Sequence, residues 1–243
     1  MHSIVMKPDS SPFLGTWLSI GSPVIAELAA LSGFDWVLFD LEHGCASEAD
    51  LPDQLRAISG KKATGVVRVS APEPDQIARV LDWGADGIMV PRVESAADAA
   101  SIVRFACHAP LGRRGFSRTV RATNYGMKDH PGKPIILVQI ESLAGVGGAD
   151  EIARVEGVDG LFVGPADLWH DLEHHPAEGL PSYDKCLEQV LTAARNAGKE
   201  AGILVRNPEE VALHAGLGFT RIAVDSDLSI LRKTYQSLVG LKS

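Results

Sequence analysis

The chain has 243 residues, of which 45% are hydrophobic and 22% are charged, and its formal net charge is −8. This composition is typical of a globular protein and excludes a disordered one. The acidic balance and the lack of a basic stripe argue against a nucleic-acid partner. Three scattered cysteines, no apolar run of membrane-spanning length and no hydrophobic signal core lead us to expect a reduced, cytoplasmic protein without a membrane partner.

Apolar, strand-like runs alternate with amphipathic stretches along the whole sequence. Strands are predicted at residues 13–20, 36–41, 65–69, 87–90, 135–140, 160–163, 201–205 and 220–224. Helices are predicted at residues 23–31, 48–59, 74–83, 95–106, 145–154, 183–196, 208–215 and 228–238. Several predicted helices begin with a good capping signal, such as Ser22 before Pro23.

Eight strand–helix units in a chain of this length are typical of a (β/α)8 barrel. A doubly wound open sheet is the alternative, but it usually has fewer strands, and no dinucleotide-type glycine loop opens from a strand here. No linker divides the chain, so one barrel domain over residues 1–243 is expected. Residues 109–134 and 169–182 are predicted as long loops on the catalytic face, and loops of that length are usually functional or disordered.

Two acidic residues follow predicted strands that read as fully buried. Glu141 comes directly after residues 135–140, and Asp167 follows residues 160–163. In a barrel, both carboxylates face the mouth at the carboxyl ends of the strands, where such folds keep their chemistry. Two convergent carboxylates suit a hard, oxygen-seeking cation such as Mg2+ or Mn2+.

Three further residues are candidates for catalysis. Arg68 interrupts an apolar strand, and because a lone buried guanidinium is costly, it is either a clamp for a carboxylate or enolate or a structural ion pair. His43 follows Asp40 by three residues, which suggests a general base whose tautomer is set by the acid; a histidine satisfied by backbone groups is the alternative. Asp82, near the end of a predicted helix, reads first as a surface carboxylate.

The lysines distinguish two aldolase chemistries. A Schiff-base enzyme needs a buried lysine on a barrel strand. All nine lysines of this chain fall in predicted loops, helices or strand entrances. A metal must then replace the imine as the electron sink.

Together these residues resemble the HpcH/HpaI aldolase family, the metal-dependent class II pyruvate aldolases, over about residues 15–231. The matching motifs are 33–44 (GFDWVLFDLEHG), Arg68, 90–91 (VP), 112–115 (GRRG), 138–142 (VQIES) and 157–168 (GVDGLFVGPADL). The resemblance implies a (β/α)8 barrel that assembles as a homohexamer, a trimer of dimers, with its last helix packed on a neighbouring subunit.

The resemblance also implies a reaction. Such enzymes cleave 4-hydroxy-2-oxo acids reversibly to an aldehyde and pyruvate, or a related 2-oxo acid such as hydroxypyruvate, through a metal-bound enolate. The partners are therefore a small 2-oxo acid and an aldehyde. The expected cofactor is Mg2+ or Mn2+, with Co2+ possible.

Roles for individual residues follow from the same resemblance. Glu141 and Asp167 would be the metal ligands, Arg68 would stabilise the enolate, and His43 would be the acid/base, assisted by Asp40 or Asp82. The residues expected to bind substrate are Arg68, Gln139, Pro165, Ala166, Asp167 and Trp169, with backbone N–H groups near Ala166 and Asp167 holding the substrate carboxylate.

The chain departs from the family pattern at two positions beside the site. Trp169 stands where the family usually has serine, and a bulky indole there would narrow or reshape the aldehyde pocket. Asp225 stands where the family often has a small residue, which adds negative charge near the mouth. The histidine-rich residues 170–175 are expected to form a solvated, mobile loop, and adventitious metal binding is the alternative.

Two other functions are compatible with this barrel. One is a CoA-ester lyase of the citrate-lyase β type, but the chain is short and acidic for a CoA-binding surface. The other is a non-catalytic, metabolite-binding barrel. The complete set of His43, Arg68, Glu141 and Asp167 argues against the second alternative, because a sensor needs no general base.

Overall fold

The structure is a computed structural model that describes residues 11–175 and 177–240. Eight parallel strands pair in chain order, and the eighth pairs with the first to close a barrel. They are β1 (Phe13–Leu18), β2 (Trp36–Asp40), β3 (Thr64–Arg68), β4 (Gly87–Val90), β5 (Ile135–Ile140), β6 (Gly160–Val163), β7 (Glu200–Val205) and β8 (Arg221–Ser226). The predicted (β/α)8 barrel is therefore confirmed.

Helices follow the strands and cover the outside of the barrel. They are α1 (Pro23–Leu31), α2 (Leu51–Ile58), α3 (Pro74–Asp82), α4 (Ala96–Ala106), α5 (Leu143–Gly147), α6 (Ala149–Ala153), α7 (Pro165–His174), α8 (Tyr183–Asn196), α9 (Glu210–Leu217) and α10 (Asp227–Gly240). Ser22, Ser95 and Ser182 cap α1, α4 and α8 by accepting a backbone N–H with their side chains, which satisfies donors that the first helical turn leaves open.

Strand side chains alternate between two apolar layers. On β2, Trp36 and Leu38 point into the barrel, while Val37 and Phe39 join the layer between strands and helices. The interior holds only a few large side chains, among them Met89 and Phe162. The remaining apolar core lies outside the strands, where the helices bury it. The same alternation continues to the strand ends and decides which polar residues reach the barrel mouth.

A buried ion pair closes the amino-terminal end of the barrel. Nε of Arg221 donates to Oε2 of Glu200 at 2.5 Å, and its guanidinium lies 5.4 Å from the ring centroids of Phe13 and Trp36. Because both charges are paired and the arginine is covered by aromatic rings, the pair fills this end without an unpaired buried charge. The carboxyl end of the strands is left as the polar mouth.

The prediction of a loop over residues 169–182 was wrong for its first part. Helix α7 runs from Pro165 to His174, and His170 and His174 stack on it with ring centroids 4.2 Å apart. Pro165 fits the first helical position, and residues 166–174 contain neither glycine nor proline. The helix ends at His175, whose extended conformation is the one favoured before a proline.

Within the described ranges, no helix is both long and apolar enough to cross a membrane. The prediction that residues 109–134 lie on the catalytic face was wrong, because the segment joins the end of α4 to the start of β5 and so lies at the amino-terminal end of the barrel. It contains one short 3-10 helix, Arg121–Gly126, interrupted by Asn124 and Tyr125 in the left-handed region.

Candidate active site

The carboxyl ends of the strands surround a cavity of about 270 Å³. Interior-facing positions supply its polar lining: Asp40 follows Trp36 and Leu38 on the inner face of β2, Arg68 follows Val66 on β3, and Gln139 follows Leu137 on β5. This is the end of the barrel at which the fold places active sites.

Arg68 is held by two carboxylates. Its Nε and Nη2 donate to Oδ1 and Oδ2 of Asp40 at 2.9 and 2.7 Å, and Nη1 lies 2.8 Å from Oε2 of Glu42. The guanidinium also lies 5.1 Å from the ring centroid of Trp17. Its side chain is 7% exposed, so these partners fix its orientation at the wall of the cavity.

The bidentate pair changes the titration of both partners. Burial alone would raise the pKa of Asp40, but Arg68 and the backbone N–H groups of His43 and Glu42 hold it below the ordinary value. Burial likewise opposes the charged form of Arg68, yet Asp40, Glu42 and Glu141 keep its pKa raised. Both groups are therefore ionised, and Asp40 positions the arginine.

His43 lines the same cavity but is not oriented as expected. Oδ1 of Asp40 accepts the backbone N–H of His43 at 3.2 Å, and the imidazole is instead nearest to Glu42, with Nε2 3.8 Å from Oε1. The side chain is 67% exposed. Asp40 thus fixes the main chain around His43, while Glu42 is the acid beside its ring. No role was predicted for Glu42, although it directly follows the predicted strand 36–41 and so lies at the barrel mouth.

Glu141 is buried with one carboxylate oxygen bonded and the other free. Oε1 accepts the backbone N–H of Arg92 at 2.8 Å, whereas Oε2 has no hydrogen-bond partner among the described residues. Burial raises the pKa of Glu141 to about 7; the charges of Asp167 and Glu42 reinforce this shift, and the Arg92 bond and Arg68 oppose it. A buried carboxylate oxygen without a donor is the chemistry expected of a cation ligand.

Asp167 lies in the first turn of α7 and faces the cavity. Gly164, directly before this helix, lies against Oε2 of Glu141, and the charge of Asp167 contributes to the raised pKa of Glu141. The described residues hold no group of three or more side chains suited to a metal. Two carboxylates that leave the other positions to substrate and water nevertheless fit a hard divalent cation such as Mg2+.

Several predicted substrate-binding residues line the cavity. Gln139 is buried there, and its amide oxygen has no hydrogen-bond partner among the described residues. Pro165 and Ala166 form the opening turn of α7. The N–H groups of Ala166 and Asp167 have no acceptor within the helix, because the first helical turn lacks one. This turn is a place where an anion such as a carboxylate binds.

Two predicted residues lie elsewhere. Trp169 is 52% exposed and contacts Tyr183 edge-on, with ring centroids 5.6 Å apart. In a helix, residues two positions apart point about 200° from each other, so Trp169 faces away while Asp167 faces the cavity. Asp82 ends α3 at the opposite, amino-terminal end of the barrel, where its Oδ1 accepts from Nη2 of Arg114 at 2.5 Å. It does not approach His43 within this chain.

The cavity also contains residues to which no role was assigned from the sequence. Arg206 and Ser226 lie at the ends of β7 and β8 and line its other side, together with Ser19 and Trp17. Arg206 continues the inner face of β7, after Gly202 and Leu204, so the alternation of the strand was a usable signal. Asp225, beside Ser226, adopts a positive φ of 52°.

With this geometry established, the relationship to known proteins is informative. The model of the HpcH/HpaI aldolase/citrate lyase family matches residues 14–233. The chain belongs to the HpcH/HpaI aldolase/citrate lyase family. The match reaches from β1 into α10 and includes all site residues described above, so the predicted membership is confirmed.

Similar proteins within this family are named as aldolases, which are carbon–carbon lyases. The chain is 37% identical to a hydroxypyruvate/pyruvate aldolase of Pseudomonas aeruginosa, over 93% of this chain and 87% of the relative. It is 38% identical to a 5-keto-4-deoxy-D-glucarate aldolase of Klebsiella pneumoniae subsp. pneumoniae, over 93% and 90%. A crystal structure of a family member from Burkholderia cenocepacia J2315 superposes with a TM-score of 0.88 at 36% identity, covering 98% of this chain and 97% of that one.

Proposed function

We propose that the protein is a class II aldolase that reversibly cleaves 4-hydroxy-2-oxo acids to an aldehyde and pyruvate, or a related 2-oxo acid such as hydroxypyruvate. The observation that carries this proposal is the buried Oε2 of Glu141, which has no hydrogen-bond partner among the described residues. It lies directly behind Gly164 in the wall of the cavity that Arg68 also lines. The names of the similar proteins support the reaction class.

Glu141 and Asp167 would hold a divalent cation, Mg2+, Mn2+ or Co2+. A cation bound there supplies a Lewis acid that polarises the keto group of the substrate and acidifies its methyl protons. The oxygen donor set favours these hard ions over soft ones.

Arg68 stabilises negative charge that develops on the substrate. Two of its N–H groups bind Asp40 and a third points to Glu42, so two of its five donors stay available. Because the guanidinium is already oriented, it needs no reorganisation as the enolate forms, which is the condition for strong electrostatic stabilisation.

His43 transfers the proton. Its exposed imidazole lies at the edge of the cavity, in reach of both solvent and substrate, and its Nε2 is 3.8 Å from Oε1 of Glu42. The N–H groups at the start of α7 hold the substrate carboxylate, and the amide of Gln139 contacts the 2-oxo acid from the barrel interior.

The first test uses the donor half-reaction alone. Protein stripped with a chelator is incubated with pyruvate in D2O, and the methyl signal is followed by NMR with and without Mg2+ or Mn2+. Metal-dependent loss of the signal is expected, with little loss in the Glu141→Gln variant. Arg154→Gln, on the exposed end of α6, is the matched control and should exchange like the wild type. No exchange with either metal would contradict the proposal and favour a CoA-ester lyase or a metabolite-binding barrel.

We also propose a homohexamer in which α10 packs on a neighbouring subunit. Within the chain this helix mainly contacts β1 and β8, and it exposes Tyr235, Leu238 and Val239. An exposed row of large apolar side chains usually marks a protein contact. Light scattering after size-exclusion chromatography should give six copies of 25.9 kDa, and Leu238→Glu should lower that mass. A monomeric wild type would refute the assembly.

A further inference from the structure

An arginine side chain, Arg206, lies at the barrel mouth across the cavity from Asp40. Arg206 follows Gly202 and Leu204 on the inner face of β7 and lines the active-site cavity. The β2 and β3 side of the cavity holds Asp40 and Arg68, and Gln139 lines it from β5. Arg206 therefore faces a ligand in the cavity from the side opposite Arg68.

The guanidinium of Arg206 is only loosely bound within the described part of the chain. Its side chain is 56% exposed, and its one ion pair there is long, with Nη1 3.8 Å from Oδ1 of Asp225. Asp225 is held more closely by others: Oδ2 accepts from Nζ of Lys233 at 2.7 Å, and Oδ1 accepts the N–H of Ser226 at 3.0 Å. Lys233 already neutralises Asp225, so Arg206 keeps donors for a ligand.

The main chain of Arg206 is fixed even though its side chain is not. Its N–H donates to Oε2 of Glu210 at 3.1 Å, and its carbonyl accepts from Nζ of Lys233 at 3.0 Å. Oε1 of Glu210, the first residue of α9, also accepts from Nδ2 of Asn207 at 3.0 Å. The charges of Lys233 and Arg206 balance those of Asp225 and Glu210, whereas the other side of the mouth is strongly acidic.

Resting on the proposed function, we propose that Arg206 binds a carboxylate at the far end of the substrate. The 4-hydroxy-2-oxo acids cleaved by this protein are then dicarboxylates, and the aldehyde partner carries an acidic group. An arginine fork matches a planar carboxylate in two hydrogen bonds, which a neutral acceptor cannot form. Its place at a solvated mouth permits long and flexible substrates to reach it.

The test compares ligands of equal length that differ only in the distal carboxylate. Binding of 2-oxoglutarate against 2-oxopentanoate, and of 2-oxoadipate against 2-oxohexanoate, is measured by calorimetry on the Mg2+-loaded protein. We expect the dicarboxylate of at least one pair to bind about tenfold more tightly, which corresponds to about 1.4 kcal/mol. Arg206→Gln should remove this preference, and Arg206→Lys should restore part of it. Arg154→Gln, which removes an arginine from the opposite end of the barrel, should keep it.

A second variant separates ligand binding from a purely structural ion pair. Asp225→Asn keeps a side chain that tolerates the positive φ at this position but removes the competing anion, so the preference for dicarboxylates should increase. Equal binding of both ligands in the wild type, or an unchanged preference in Arg206→Gln, would overturn the proposal for Arg206 while leaving the aldolase intact. Failure of every 2-oxo acid to bind would refute the proposed function and the subsite with it.

Discussion

Gly164 determines the geometry of the carboxylates, and its replacement by alanine is the sharpest test of the site. A Cβ at this position would lie 2.4 Å from Oε2 of Glu141 and 2.8 Å from Nε2 of Gln139. The backbone of Gly164 has a φ of −92°, which alanine adopts without strain. The effect of Gly164→Ala therefore comes from the methyl group alone.

The expected loss of stability and of metal affinity follows from how closely the new methyl group would approach Glu141. Ordinary van der Waals contact begins at 3.4 Å, so Glu141 must retreat by about 1 Å or the main chain must move. Forced overpacking of this kind costs about 1–3 kcal/mol of folding free energy. Misplacing a ligand or its support lowers metal affinity by about 10- to 100-fold. We expect Gly164→Ala to fold and to need correspondingly more Mn2+ for half-maximal pyruvate exchange.

The assay is a Mn2+ titration of pyruvate exchange, combined with urea unfolding of the metal-free protein. Gly147→Ala is the control, because Gly147 is exposed in α5 and a Cβ there would have no packing neighbour within 4 Å. This variant should behave as the wild type in both measurements. If Gly164→Ala bound Mn2+ as tightly as Gly147→Ala, Oε2 of Glu141 would not be a cation ligand.

Three further variants test the charged groups. In the metal-free protein, burial raises the pKa of Glu141 to about 7 from an ordinary 4.5. Because the folded state holds this proton more tightly, the wild type loses up to about 3 kcal/mol of stability as the pH rises from 4.5 to 7. In urea unfolding, Glu141→Gln should therefore be more stable than the wild type at pH 8 and lose that advantage at pH 4. Asp40→Asn leaves Arg68 buried without its bidentate partner and should cost about 3 kcal/mol in the same assay; a loss below about 1 kcal/mol would contradict the fixed pair. His43→Asn should lower the rate of pyruvate exchange at least about 100-fold. Its free energy of unfolding should change by less than about 0.5 kcal/mol, because the side chain is exposed. A normal exchange rate would exclude His43 as the base.

Strand alternation made much of the site predictable from the sequence. Buried parallel strands are apolar on both faces, so a polar residue at the end of one marks the barrel mouth. Arg68, Glu141 and Gln139 were found in this way, and Arg206 carries the same signal on β7. The eight strands were recognised for the same reason, and no predicted boundary differs from the structure by more than two residues.

Other features depend on three-dimensional packing that local patterns do not contain. The N–H of Arg92 that binds Glu141 belongs to a non-glycine residue with a φ of 53°, and nothing in the local sequence indicates that conformation. Trp169 was placed in the site because it directly follows the GPADL motif that carries the resemblance. The helix α7 was not predicted there, and its rotation turns Trp169 away from the cavity. The resemblance implied that Asp82 assists His43. Asp82 is the last residue of α3, however, and within one chain that helix runs back from the mouth and ends at the amino-terminal end of the barrel.

The balance of charge in the mouth favours a site that combines the proposed cation with a fixed arginine. Asp40, Glu42, Glu141 and Asp167 surround one positive side chain, Arg68, so the mouth alone would repel a 2-oxo acid. The proposed divalent cation would offset two of these charges, at Glu141 and Asp167. The bidentate pair with Asp40 meanwhile prevents Arg68 from collapsing onto the other carboxylates. An anionic substrate is then attracted between two positive centres whose positions are set before it arrives, and Arg206 at the other side supplies a third for a second carboxylate.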